Sequence, residues 1–334
     1  MSLSGCVGSG SGWTPAPLRL SDGAQAPCYL KTHSWGEFVF DFQIAQAYEQ
    51  QGLVYYPKLV CCVPFTPVPG PRLLAADDAG RHALAEALLT HAKQLSASSA
   101  HVLFPASADV AVLHAQGWLQ REQMRYLWRN RGYADFDAFT DALSSKRRKN
   151  IRRERKRIAA AGFDIGWARG DALTAAEWRS VGELYASTYR ARGQAPYLNL
   201  ECLQLWAARL GERMQFCLAR REGELCAMAF FFRDGATLYG RHWGANVDDP
   251  LLHFELCYYR GIECAIAHRL HCFDAGVQGE HKLLRGFDPE RAYSMHHFQH
   301  RRLHQAVARY FAHEREALAG QIAAFAAHSA YRES

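Results

Sequence analysis

Met214 to Arg220, Glu224 to Phe232 and Thr237 to Trp243 read as three consecutive strands, separated by tight turns at Glu222-Gly223 and Asp234-Gly235. Turns this short leave neighbouring strands no choice but to pair antiparallel, so the stretch folds as a meander. The flanks extend the pattern. Upstream come a strand at Phe163 to Trp167 and helices at Thr174 to Tyr189 and Leu198 to Leu210, parted by Gly193-Gln194-Ala195-Pro196. Downstream come a long helix from Leu251 to Leu270, a strand at Cys272 to Ala275, a loop, and a C-terminal helix from about Leu303.

The first half runs through a similar order. Pro17 to Leu20 and Pro27 to His33 read as strands around Ser21-Asp22-Gly23, and Glu37 to Gln51 as a helix closed by Gly52. A strand at Leu53 to Phe65 precedes a proline cluster, and Asp77 or Asp78 caps a helix to about Leu95. A strand at His101 to Phe104, a helix from Asp109 to about Gln116, a strand at Gln123 to Arg129 and a short helix at Asp135 to Leu143 follow. Strand, two helices, three antiparallel strands, helix, strand is the order of an N-acetyltransferase-type α/β domain. The expected fold is therefore α/β (α+β), with tandem GNAT-like (acyl-CoA N-acyltransferase-type) domains at 1–140 and 163–330 and a basic linker helix at 141–162.

Charge singles out that linker. The 334 residues carry a net +6, but Lys146 to Arg157 holds nine basic residues against Glu154 alone, a local +8. The remainder sums to −2, which argues against a dispersed nucleic-acid surface and against DNA as a partner. Leu143, Ile151 and Ile158 give this helix a narrow apolar edge, so most of its circumference faces water or an anion. Lys146, Arg147, Arg148, Lys149, Arg152 and Arg153 are the candidate anion-binding residues. Their ligand would be tRNA, a nucleotide-linked precursor or an anionic membrane surface touched peripherally; the bland alternative is a solvated helix paired with acidic neighbours.

No apolar run is long enough to form a transmembrane segment. Leu3-Ser4-Gly5-Cys6 looks like a lipoprotein cleavage site but has no export signal before it. The ten cysteines lie at scattered spacings with no Cys-x-x-Cys, so free thiols and a cytoplasmic setting are expected. His296, His297, His300 and His304 lack a carboxylate or cysteine at ligand spacing, so no metal is expected.

Longer motifs carry a resemblance. Residues 29–41 (YLKTHSWGEFVFD), Tyr55-Tyr56-Pro57-Lys58-Leu59, Pro64-Phe65-Thr66-Pro67, residues 238–244 (LYGRHWG), residues 252–259 (LHFELCYY), Gln278-Gly279-Glu280-His281-Lys282 and Arg285-Gly286-Phe287 resemble the FemAB-like predicted N-acyltransferase family of bacteria. The likeness spans essentially the whole chain. It implies a tandem N-acetyltransferase fold and acyl or aminoacyl transfer to an amine, and it links the chain to peptidoglycan-bridge transferases, whose Arg-rich segment the basic helix resembles. It also implies a first domain incomplete at its start, since Ser4 to Gly8 looks like the middle of a family sequence.

In this fold the donor ester or thioester lies where two central strands splay apart, and the polar motifs after the meander fall there. Transfer to an amine needs a base for the amine proton, donors for the oxyanion and an acid for the leaving group. Glu280 and His281 are the expected base candidates, and Tyr258 supplies a hydroxyl. Glu255 lies on the apolar stripe of its helix, either as a tuned carboxylate or as a structural partner of Arg241 or another cation. Tyr239, Arg241, His242, His253, Gln278, Lys282 and Arg285 are the expected substrate-binding residues. Neither half has the Gly-rich pyrophosphate loop of acetyl-CoA enzymes, which leaves acyl-CoA and aminoacyl-tRNA both open as co-substrate, with no tightly bound cofactor. The acceptor is a small-molecule or peptide amine. The alternative function is a catalytically silent binding protein that recognises tRNA or an anionic surface through the basic helix.

Overall fold

The computed structural model describes residues 1–327 and 329–332. The chain divides into two compact units, 1–124 with 291–321 and 125–290 with 322–334. The sequence pattern predicts domains at 1–140 and 163–330 joined by a linker at 141–162; in the compact units, residues 291–321 lie with the first.

The first unit starts with β1 (Trp13–Pro15), the hairpin β2 (Leu18–Arg19) and β3 (Gln25–Ala26), and β4 (Cys28–Lys31). α1 (Phe42–Gln50) begins later than expected, because residues 37–41 are held out of the helix: Phe38 is left-handed at φ 60° and the Glu37 and Asp41 side chains turn inward. β5 (Lys58–Cys61) is the short core of the expected longer strand. α2 (Asp78–Gln94) is capped by Asp77, whose Oδ1 accepts from Gly80 N at 2.9 Å. β6 (Ser99–Leu103), α3 (Ser107–Ala115) and the start of β7 (Leu119–Arg129) follow. β1 pairs with β4, β4 antiparallel with β5, and β5 parallel with β6. Leu59, Leu84, Leu88, Val102, Leu113 and Trp118 form the core between α2, α3 and these strands.

In the second unit α4 (Phe136–Ala142), capped by Asp135, leads to the basic helix α5 (Ser145–Ala160), which buries Ile151 and Ile158 as its apolar edge requires. β8 (Asp164–Arg169) precedes α6 (Ala175–Arg190), which opens with a Thr174/Glu177 capping box, and α7 (Leu200–Leu210). β9 (Met214–Arg221), β10 (Glu224–Asp234) and β11 (Thr237–Ala245) form the expected meander, with β8 on its outer edge. Phe216, Phe230, Phe231 and Phe273 fill the core. The expected long helix is divided into α8 (Pro250–Phe254), a π turn (Glu255–Tyr259) and α9 (Arg260–Ala267). β12 (Cys272–Asp274) lies between β11, to which it is parallel, and β7. A six-residue 3₁₀ helix (Glu280–Arg285) comes next.

The chain then forms β13 (Asp288–Phe298), a strand the sequence reading missed, whose later residues pair antiparallel with β6 in the first unit. α10 (Arg301–Ala327) buries Leu303, Val307 and Phe311 against Ile44, Tyr48 and Phe298. All ten cysteines are free. No helix among the described residues is long and apolar enough to cross a membrane, and none of the described residues form a three-ligand metal cluster.

Candidate active site

β11 and β12 share only three register pairs, from Thr237–Cys272 to Tyr239–Asp274. Past that point the strands take different partners. The chain after β12 stays with β7, Ala275 N donating to Tyr126 O and Tyr126 N to Gly276 O, both at 3.1 Å. β11 continues to Ala245 along β10, after a register shift that leaves Arg241 as the extra residue. Gly244 lets this far end press on α6, since a Cβ there would collide with the Leu184 carbonyl.

A ring of side chains bridges the two diverging ends. Trp243 of β11 packs edge-on to His253 at 5.3 Å, and His253 lies 5.3 Å from the Tyr258 ring and 6.0 Å from His281. The Tyr258 Oη is 2.8 Å from His281 Nε2. Lys282 closes the ring: its Nζ donates to the carbonyls of Ala275 at 2.5 Å and Gly276 at 3.5 Å, just past the end of β12. The π turn places Tyr258 beside the 3₁₀ helix while Leu252, Leu256 and Ile262 stay buried, and such turns recur at functional sites.

Burial sets the electrostatics. It holds His253 down at about 4, with His281, Lys282 and Arg285 acting in the same sense. His281 is lowered by burial, Arg285 and Lys282, so its imidazole is neutral at neutral pH. Burial brings Lys282 to about 8, although Asp274 favours its charged form, and raises the Tyr258 phenol.

The basic helix supports this group from behind through two residues the sequence reading did not select. Glu154 accepts from Tyr259 Oη and from Arg285 Nη2 at 3.1 and 3.2 Å, while Arg285 Nε donates to Tyr259 Oη at 2.9 Å. Arg285 also stacks over Phe254, 3.5 Å from the ring centre, and donates to His281 O at 3.0 Å. Arg155 forks onto both oxygens of Glu255 at 3.0 and 3.2 Å and reaches Glu263 at 2.6 Å. Arg260 adds a second contact to Glu255 at 3.0 Å. Glu255, 2% exposed, is therefore a salt-bridge carboxylate whose cations are Arg155 and Arg260 rather than Arg241. One signal was available: Glu154 is the lone acid in the basic run, and inward-facing acids in such runs have partners.

The other expected residues separate from the ring. Glu280 and Gln278 are exposed. Tyr239 stands at the last β11–β12 pair, opposite Asp274, with its phenol raised by burial. Burial lowers Arg241 to about 10. His242 packs into Tyr185 and Phe230 at 4.9 and 5.1 Å, and burial and Arg241 hold it neutral.

Elsewhere on α5, Arg148 and Arg152 meet Asp141 at 3.9 and 3.0 Å, surface pairs that add little stability. Lys146, Arg147, Lys149, Arg153, Lys156 and Arg157 form no ion pair among the described residues. At the start of α8, the Asp249 carboxylate accepts from Leu251 N at 3.0 Å and Pro250 offers no amide.

A family described as FemAB-like, peptidoglycan biosynthesis/recognition, matches residues 1–333. No curated protein matches. Among solved structures, FemX is 12% identical over 89% of this chain and 91% of its own, with a TM-score of 0.53. L-PGS from Bacillus licheniformis is 11% identical over 85% and 83%, with a TM-score of 0.54. The C-terminal domain of a putative lysylphosphatidylglycerol synthetase from Agrobacterium fabrum is 10% identical over 75% and 80%, with a TM-score of 0.53. At these identities the likeness is one of fold.

Proposed function

Given that the chain belongs to the FemAB-like family of peptidoglycan biosynthesis and recognition, we propose that it is an acyl or aminoacyl transferase that forms an amide by direct attack of an amine acceptor. The observation that carries this reading is the ring of Trp243, His253, Tyr258, His281 and Lys282 across the parting of β11 and β12. It offers what amide formation needs. His281, neutral and hydrogen-bonded to Tyr258, takes the proton of the attacking amine; Lys282 is the cation for charge developing on the carbonyl or leaving oxygen. Aromatic walls limit water. Glu154, Arg155 and Arg285 act as positioning residues, and exposed Glu280 is set aside as base.

The capped start of α8 and the unpaired cations of α5 favour a donor carried on a polyanion, an aminoacyl-tRNA, over acyl-CoA. Native mass spectrometry against CoA, acyl-CoA, and charged and uncharged tRNA tests this. Retention of tRNA with salt-sensitive affinity supports the reading, and selective retention of acyl-CoA overturns the donor assignment. The same unpaired cations support a second reading, a catalytically silent binder of tRNA or an anionic surface. In that case neutralising α5 abolishes binding while pocket substitutions change nothing.

A further inference from the structure

The 3₁₀ helix that carries His281 and Lys282 does not hold its own shape. It lies between two left-handed glycines, Gly279 at φ 98° and Gly286 at φ 82°. The hydrogen bonds that close it are long: Lys282 N to Gly279 O at 3.2 Å, Gly286 N to Leu283 O at 3.4 Å and Phe287 N to Lys282 O at 3.3 Å. A short 3₁₀ helix with poor hydrogen bonds takes its position from what it touches. Two of its outside attachments belong to the site already described, Lys282 on the carbonyls past β12 and Arg285 on Glu154 and Tyr259. Both act through side chains of the helix itself, and neither holds the point where the chain leaves it.

Residues 330–332 hold that point. Tyr331 bridges antiparallel to Leu143, Ser144 N donates to Ala330 O at 2.9 Å and Arg332 N donates to Ala142 O at 3.1 Å. The segment thus pairs with the turn that leads from α4 into α5. Seated there, Tyr331 donates its buried hydroxyl to Gly286 O at 2.8 Å. Gly286 has no room for a larger residue, since a Cβ would meet the Phe139 ring and stand 3.2 Å from the Tyr331 oxygen. Arg131 covers the same tyrosine, its guanidinium 3.8 Å from the ring centre, and pairs with Asp288 at 3.3 Å.

From Gly286 the contact reaches the ring in two steps. Phe287 lies between Gly286, held by Tyr331, and Asp288, held by Arg131. It is buried and packs edge-on against Tyr258 at 5.7 Å and against Phe273 at 5.3 Å. Tyr258 in turn hydrogen-bonds His281. At the other end of the 3₁₀ helix the His281 ring lies against Gly279, where a Cβ would collide with it. The place of His281 therefore depends on both ends of this short helix. A phenylalanine at 331 would fill nearly the same volume, so packing alone does not call for the hydroxyl. A hydroxyl that donates to the Gly286 carbonyl fixes where the turn sits.

We infer that Tyr331 is a positioning residue of the transfer site: it fastens the exit of the 3₁₀ helix and so keeps Tyr258, His281 and Lys282 in place relative to one another. The inference rests on the transfer reading for what the ring does, while the fastening itself is measurable without any turnover. Its signature is the titration of His281. In the fastened site burial, Arg285 and Lys282 hold this imidazole below its ordinary 6.5. When the turn at Gly286 loosens, His281 gains water and its two cationic neighbours draw away, so its midpoint moves up toward 6.5.

Proton NMR titration of the whole chain tests this, with the His281 ring signal assigned by its loss in His281→Gln. Tyr331→Phe should raise the His281 midpoint by about half a pH unit or more, and lower kcat about five- to ten-fold with KM within about two-fold. Arg332→Ala, in the same segment but with its side chain on Leu143 O, should leave both at wild-type values. If Tyr331→Phe does not fold by circular dichroism, Arg131→Met decides: it strips a half-exposed cation from the same ring, and a smaller rise in the same direction is expected. An unmoved His281 midpoint in the folded variants overturns the proposal, whatever the melting temperature does, and so does a raised midpoint with wild-type kcat. If the wild-type chain shows no turnover, the transfer reading has failed, and the titration alone supports or overturns the fastening.

Discussion

Tyr258 and His281 meet at 2.8 Å, hydroxyl to Nε2, although the first lies on the π turn of one helix and the second on the 3₁₀ helix after β12. Burial, Arg285 and Lys282 all press the imidazole toward its neutral form. In amide formation the neutral form is the useful one, since a base must be unprotonated when the amine attacks.

The pH profile of transfer follows from this. A histidine base lowered below its ordinary 6.5 keeps its activity as pH falls through 6.5 and loses it only at the lower folded value. A profile of kcat/KM against pH should therefore show its acidic limb below 6.5. Tyr258→Phe should keep the fold and lower the rate roughly ten-fold, the loss of one hydrogen bond to the base.

Arg155 and Glu255 give a stability prediction. Arg155→Ala removes the fork from a carboxylate 2% exposed, leaving Arg260 as its remaining cation. The expected cost is about 3 kcal/mol in urea unfolding, as for other broken buried pairs. Arg153→Ala, two residues earlier but exposed and without an ion pair, should change stability by less than about 0.5 kcal/mol.

Lys282 predicts a pH-dependent difference in stability. Its folded value of about 8 lies below the ordinary 10.5 of a lysine, so between these values the unfolded chain binds more protons than the folded one. Wild type should thus gain stability relative to Lys282→Met as pH rises from about 8 to 10.5, by on the order of 3 kcal/mol, and lose that gain below about 8. Paired denaturation curves across this range measure it.

Gly244→Ala places a methyl against the Leu184 carbonyl of α6 and should cost about 1–3 kcal/mol, with the melting temperature as readout. Gly223→Ala makes a control for backbone strain, because Gly223 has φ 85° but open space around its Cβ.

Much of the second unit was legible because its signals are local. The meander turns, the Thr174 and Asp135 caps and the narrow apolar edge of α5 each act within a few residues. β13 was missed because Asp288 to Phe298 has no clean alternation; its burial comes from partners far away in sequence. The late start of α1 has a similar cause, since Glu37 and Asp41 are drawn inward by Lys58, 21 and 17 residues on. In the candidate site, adjacency in sequence misled: Glu280, His281 and Lys282 are consecutive, yet only the last two face the ring. The basic helix was read as a surface, and its two inward residues, Glu154 and Arg155, were found only through their partners.

The direct test of the central claim is turnover. Purified chain, given the donor it retains and a primary amine acceptor, should consume donor in an amine-dependent reaction, and His281→Ala, folded by circular dichroism, should lose about 100-fold or more of that rate. Wild-type turnover by His281→Ala would contradict the account, and so would turnover that survives in this variant but vanishes with Glu280→Gln.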